Sequence, residues 1–137
     1  MPDILVIDDD RAVSATLKIV LGAKGHEVVT ADNGQSGIDT AKARRFDLAI
    51  VDLFMPDIDG IQVMQALRAI TPDMPLIAAS GFMMADVRPS MPGFDDMATE
   101  AGAVATLYKP FRPEDVFKVV DAALAVRAAP VEARRTA

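Results

Sequence analysis

Residues Asp47–Gly60 read DLAIVDLFMPDIDG. The strand expected over Asp47–Val51 is apolar without alternation, the pattern of a strand covered on both faces, as in a parallel sheet between layers of helices. Asp52 follows at its carboxyl end. MPDIDG then reads as a turn, and Ile61, Val63, Met64, Leu67 and Ile70 repeat at helical spacing. Strand, acidic end, turn and amphipathic helix form one unit of a doubly wound α/β fold.

The same unit recurs on either side. Ile4–Ile7 is a short β-rich burst, followed by Ala12, Ala15, Leu17, Ile19, Val20 and Leu21 in an approximately helical pattern that Gly22 and Gly25 can end. Glu27–Thr30 reads as a second strand. Asn33-Gly34 opens a helix to about Arg44 with apolar Ile38, Ala41 and Ala43. Met74–Ala79 is a fourth strand, Val104–Tyr108 a fifth, and Glu114–Val126 a closing helix with Val116, Val119, Val120 and Leu124 on one face. Gly81–Gly93, with Pro89 and Pro92, has no clean period and reads as an irregular loop, with a helix beginning only near Phe94 or Asp95. Right-handed crossovers between these strands give a parallel sheet with helices on both sides.

Composition narrows the function. The 137 residues suit one domain with a sizeable core, and 51% hydrophobic with 25% charged residues is a globular composition. A net charge of −6 disfavours a sequence-independent grip on nucleic acid and docking on anionic lipid. Without cysteine there are no disulfides or thiolate metal sites. No apolar run is long enough to span a bilayer, and MPDILVIDDD lacks the features of a signal peptide. The expectation is a cytoplasmic protein.

In an open α/β sheet, ligands bind beyond the carboxyl ends of the strands, where the strand order reverses. Here those ends carry Asp8 and Asp9, Asp52, Ser80, and Lys109-Pro110. Each alone reads as a cap, a solvated turn or a surface lysine. VIDDD, residues 6–10, is harder to dismiss, because carboxylates about 5 Å apart repel by roughly 3 kcal/mol at an effective dielectric near 20. As a set, hard oxygen ligands suit Mg²⁺ with a phosphate oxygen, and a lone lysine supplies a compact charge to another phosphoryl oxygen. The kit is one for phosphoryl transfer.

ILVIDDD, LAIVDLFMPDIDG, LIAASG and LYKPF, in this order over residues 3 to 126, resemble the response-regulator receiver domains of bacterial two-component signalling. The resemblance implies a flavodoxin-like sheet of order 2-1-3-4-5 and a receiver over residues 1–127 with a flexible tail over 128–137. It implies that Asp52 accepts a phosphoryl group from a histidine of a sensor kinase or phosphotransferase. Asp9 would bind Mg²⁺ directly, Asp8 through a metal-bound water, and the Phe54 carbonyl would complete the protein's share. Ser80 would bond the phosphoryl group and Lys109 would pair with it, aimed by a cis Lys109-Pro110 bond. Such a protein assists its own phosphorylation and dephosphorylation without being a turnover enzyme.

With no output domain evident, a stand-alone regulator is expected. It would change protein–protein contacts, as a monomer or weak dimer, with no direct nucleic-acid or membrane role. Asp10 reads as a helix N-cap, Asp57 and Asp59 as turn residues with Gly60 supplying backbone freedom, and His26 and the methionines as structural.

Two departures from the family pattern stand out. Thr106 occupies the place of the usual aromatic, with Tyr108 at the same strand parity, and the Ser80-to-Lys109 interval is long. Alternatives are a haloacid-dehalogenase-like phosphatase using Asp8 and Asp10, and a receiver-like binding module that is never phosphorylated. The resemblance places Phe54 and Phe82, two residues after Asp52 and Ser80, beside the phosphoryl group, where bulk obstructs water. Slow loss of phosphate is expected, with Phe54→Asn or Phe82→Glu faster than wild type in a dephosphorylation time course; if neither replacement speeds it, the shielding idea fails.

Overall fold

The computed structural model describes residues 2–53, 55, 58–80, 102–109 and 111–128, with only the backbone of Ser80, Arg127 and Ala128. The elements run β1 (Asp3–Ile7), α1 (Arg11–Gly22), β2 (Glu27–Ala31), α2 (Gly34–Ala43), β3 (Leu48–Asp52), α3 (Gly60–Ile70), β4 (Leu76–Ser80), β5 (Ala103–Tyr108) and α4 (Pro113–Ala128). All neighbouring strands are parallel, in the order β2-β1-β3-β4-β5. Strand limits move by one or two residues from the sequence reading: Asp47, Met74 and Pro75 lie outside, whereas Asp52, Ser80, Ala31 and Ala103 lie inside. Ala128 belongs to α4 rather than to a tail. The expected loop at Gly81–Gly93, the helix near Phe94 and the tail beyond Ala128 fall outside the described residues.

Because side chains alternate along a strand, each strand feeds two cores. Leu5, Ile7, Ala49, Val51, Leu76 and Ala78 pack with α2 and α3 on one face. Ile4, Val6, Leu48, Ile50, Ile77 and Leu107 pack with α1 and α4 on the other. All five residues of β3 are buried, the property that its unbroken apolar run anticipated.

The helices bury narrower faces than their apolar residues suggested. In α1 the buried residues are Ser14, Leu17 and Leu21, whereas Ile19 is 72% exposed and Ala12 and Ala15 face solvent. In α2 the buried side is Gly34, Gly37, Ile38 and Ala41, and Ala43 is exposed. A helix turns through 100° per residue, so apolar residues at every offset cannot share one face. Gly25 does end the first helical segment, with φ +88°, while the His26 N–H bonds the Leu21 carbonyl.

Gly60 works differently from the sequence reading. Its φ is not left-handed; what the position needs is space. A Cβ there would lie 2.4 Å from the Leu53 Cα and 2.5 Å from the Asp52 carbonyl oxygen, while the Gly60 N–H bonds the Leu53 carbonyl at 3.2 Å. The start of α3 is thereby pressed against the end of β3. Asp59 caps that helix, accepting from the Ile61 N–H at 2.8 Å.

Gly60→Ala is expected to cost about 2 kcal/mol or more in urea unfolding, because backbone cannot yield as a side chain can. Gly22→Ala, with nothing within 4 Å of its added methyl, should be neutral or stabilising by up to about 1 kcal/mol. Equal effects of the two substitutions would contradict the packing argument.

Candidate functional site

The last cross-strand pair between β1 and β3 is Ile7 with Val51, so Asp8 and Asp52 stand one step further on, side by side. Both share the parity of the residues facing α1 and α4, as does Lys109 two residues after Leu107. Topology alone thus sends two carboxylates and an ammonium to the same side of the same sheet edge. Asp8 and Asp52 are buried, at 2% and 5% exposure, and Asp9 is exposed. One carboxylate oxygen from each of the three lies within 4.8 Å of the others, a donor set that could hold a metal ion.

Lys109 sits against two of them. Its Nζ lies 2.6 Å from Asp8 Oδ2 and 3.6 Å from Asp52 Oδ2. Burial alone lowers the lysine pKa, but the bond to Asp8 and the charges of Asp52, Asp8 and Asp10 together outweigh it and raise the pKa above its ordinary value. Lys109 is therefore an ammonium at neutral pH. The other Asp8 oxygen, Oδ1, accepts the Asp10 N–H at 2.9 Å. With both oxygens engaged, the Asp8 carboxylate has a fixed orientation.

Asp10 is the N-cap of α1, as its sequence position suggested: its Oδ1 accepts from the N–H groups of Ala12 and Val13 at 3.0 and 3.3 Å. Its own N–H also orients Asp8, a role its side-chain type does not announce. Ser14 was missed altogether. It is buried, and its hydroxyl donates to the Asp8 main-chain carbonyl at 3.4 Å, while the Asp8 N–H bonds the Ala31 carbonyl at 3.0 Å. The available signal was a polar residue in register with Leu17 and Leu21 on the buried stripe.

Thr106 and Tyr108 are in register with Ala78 and Ser80, so they share a face as their parity required. His26 stays away from the acidic cluster in the sequence of elements, between α1 and β2, and its Nδ1 is buried without a hydrogen-bond partner among the described residues. Phe54, Asp57, Phe82, Met83, Met84, the Ser80 side chain and the Lys109-Pro110 bond, all singled out in the sequence, lie outside the described residues.

A family model described as the response regulator receiver domain matches residues 4–121. The chain belongs to the response regulator receiver family. This receiver is 32% identical over 121 residues to the cell cycle transcriptional regulator CtrA of Caulobacter vibrioides, covering 87% of this chain and 48% of that protein. It is 38% identical over 110 residues to the transcriptional regulatory protein PrrA of Mycobacterium tuberculosis, covering 80% and 44% respectively. The chain thus spans about half the length of the curated relatives it matches.

A CheY-like receiver domain protein from Methanospirillum hungatei superposes with a TM-score of 0.82 at 26% identity, covering 93% of this chain and 97% of the other. The family and the fold are those of a phosphoacceptor module of two-component signalling. Among the described residues, no helix of this receiver is long and apolar enough to cross a membrane.

A lysine with a raised pKa stabilises the fold fully below its unfolded value, near 10.4, and loses that contribution as pH climbs through the higher folded value. Metal-free Lys109→Met is therefore expected to melt below wild type at neutral pH, by a margin equivalent to about 2–4 kcal/mol. Melting curves taken from neutral pH to strongly alkaline pH should show the gap narrowing only above about pH 10.5. A gap that is absent at neutral pH, or independent of pH, would contradict the ion-pair assignment.

Proposed function

We propose that this receiver accepts a phosphoryl group on Asp52 from a phosphohistidine of a sensor kinase or histidine phosphotransferase. The observation that carries the reading is the three-carboxylate cluster with the Lys109 ammonium within 2.6 and 3.6 Å of two members. An Asp52 oxygen attacks phosphorus, the P–N bond to the donor imidazole breaks, and the leaving imidazole takes a proton. The charge that builds on the phosphoryl oxygens is met by Lys109, which moves from Asp8 and Asp52 toward the new phosphate, and by the Ser80 hydroxyl. Positioning and charge compensation of this kind supply most of the catalysis in phosphoryl transfer.

Mg²⁺ is the cation whose preference for oxygen ligands and retained waters suits this donor set. Asp9 and Asp52, with the Phe54 carbonyl, would hold it directly, and Asp8 through a water. When bound, it neutralises the carboxylates and a phosphoryl oxygen. When Lys109 leaves for the phosphate, Asp8 keeps its orientation through the Asp10 N–H and the bonds that its main chain makes with Ser14 and Ala31.

The phosphatase alternative needs the Asp10 carboxylate together with that of Asp8. The Asp10 carboxylate is occupied in capping α1, which favours the phosphoacceptor reading. The protein on this account is a switch that assists its own phosphorylation and dephosphorylation, with the output being altered contacts with a partner protein.

Incubation with acetyl phosphate and Mg²⁺, followed by mass spectrometry, should place one phosphoryl group on Asp52. Asp52→Asn and chelation of the metal should each abolish the adduct, and Asp9→Ala should slow its formation at least about tenfold. Asp10→Ala, which keeps the main-chain N–H, should leave the rate largely unchanged. A phosphoryl group on another residue, or formation independent of metal, would overturn the proposal.

A further inference from the structure

Among the described residues, β2 is an edge strand, paired only with β1. The Glu27 N–H bonds the Pro2 carbonyl, and the Ala31 carbonyl accepts from the Asp8 N–H. Since the peptide groups of a strand point alternately to its two sides, residues 27, 29 and 31 face β1, and Val28 and Thr30 direct theirs outward. Such an edge is a template for another strand.

The C-terminal part of this edge, Thr30 and Ala31, with the Asp32 carboxylate just beyond it, is the floor of a groove of about 490 Å³. One bank is α1, with Arg11, Ala15 and Lys18, and the other is α2, with Ser36 and Thr40. In a chain of net charge −6, a bank carrying two cations is against the prevailing sign. Arg11 is paired with Asp32 at 3.3 Å, but the two side chains are 87% and 48% exposed, so the pair is weak enough for a second carboxylate to share. Lys18 makes no ion pair among the described residues.

Seven residues of helix separate the two cations by roughly 10 Å along the α1 axis. That span is long for one phosphate or carboxylate, and it matches about three residues of extended chain. The outward N–H and carbonyl of Thr30 lie on the floor of the groove, and those of Val28 lie on the same edge two residues before it.

We propose that this groove is a docking site for an acidic, extended segment of a partner protein, which adds to β2 as a further strand and sets its carboxylates against Arg11 and Lys18. Affinity comes from main-chain hydrogen bonds to Val28 and Thr30, and selectivity from charge, the usual division of labour in strand addition. The site uses none of the groups assigned to phosphoryl transfer, so it stands or falls independently of the phosphoacceptor reading.

The test titrates the full chain into a fluorescein-labelled, capped peptide of alternating Glu and Val, followed by anisotropy, with a Lys and Val peptide as the control. Saturable binding of the acidic peptide alone is expected, with slowed amide exchange at Val28 and Thr30. Lys18→Glu should weaken it about tenfold. Thr30→Pro removes an outward N–H that the β1 ladder does not use, so the fold should survive while binding is lost; its melting curve checks the fold. No saturable binding would overturn the proposal, as would binding indifferent to Lys18→Glu. Binding that falls with Lys18→Glu but is untouched by Thr30→Pro would equally overturn it, marking a simple anion site without strand addition.

Discussion

The Lys109 ammonium, 2.6 Å from Asp8 and 3.6 Å from Asp52, balances charge that the fold itself creates. Two adjacent parallel strands end in aspartates of the same parity, and a third carboxylate follows immediately on Asp8. Burying carboxylates this close is costly unless a cation accompanies them. One lysine offsets part of that charge and leaves a remainder that a divalent ion could meet. The cluster therefore explains both why a cation is needed and why a single positive charge does not satisfy it.

Precision at this edge is inherited from residues around the cluster. Gly60 lets α3 press against the Asp52–Leu53 backbone. Asp10 fixes the start of α1 with its carboxylate and one oxygen of Asp8 with its N–H, while Ser14 and Ala31 hold the Asp8 main chain. Asp8 is thus held at both carboxylate oxygens and along its main chain, whereas Asp9 faces solvent. Restraint suits a group that must keep its orientation, and exposure suits one that meets an ion arriving from water.

Much of this was legible in the amino-acid sequence. The unbroken run at Leu48–Val51 and the acidic strand ends pointed to a parallel sheet and to the edge where Asp8, Asp9, Asp52 and Lys109 meet, because burial on both faces and carboxyl-end placement leave local signatures. Other features depend on packing between distant segments. Ile19 and Ala43 are as apolar as their buried neighbours, and only helix orientation shows that they face solvent. The Val104 irregularity in β5, where Leu76 pairs with Ala103 and Ile77 with Ala105, is a matter of register between strands. Gly60 looked like a turn residue, and its need for space became visible only with the β3 backbone beside it. The groove at β2 is assembled from three elements and has no motif of its own.

Lys109 and a divalent cation would answer the same excess of negative charge at Asp8, Asp9 and Asp52. Calorimetric titration of Mg²⁺ into wild type and Lys109→Met at neutral pH tests it most directly. Removing the lysine should tighten Mg²⁺ binding by roughly tenfold, or about 1.4 kcal/mol, because the ion then faces no competing cation. Unchanged or weaker binding in Lys109→Met would contradict the account.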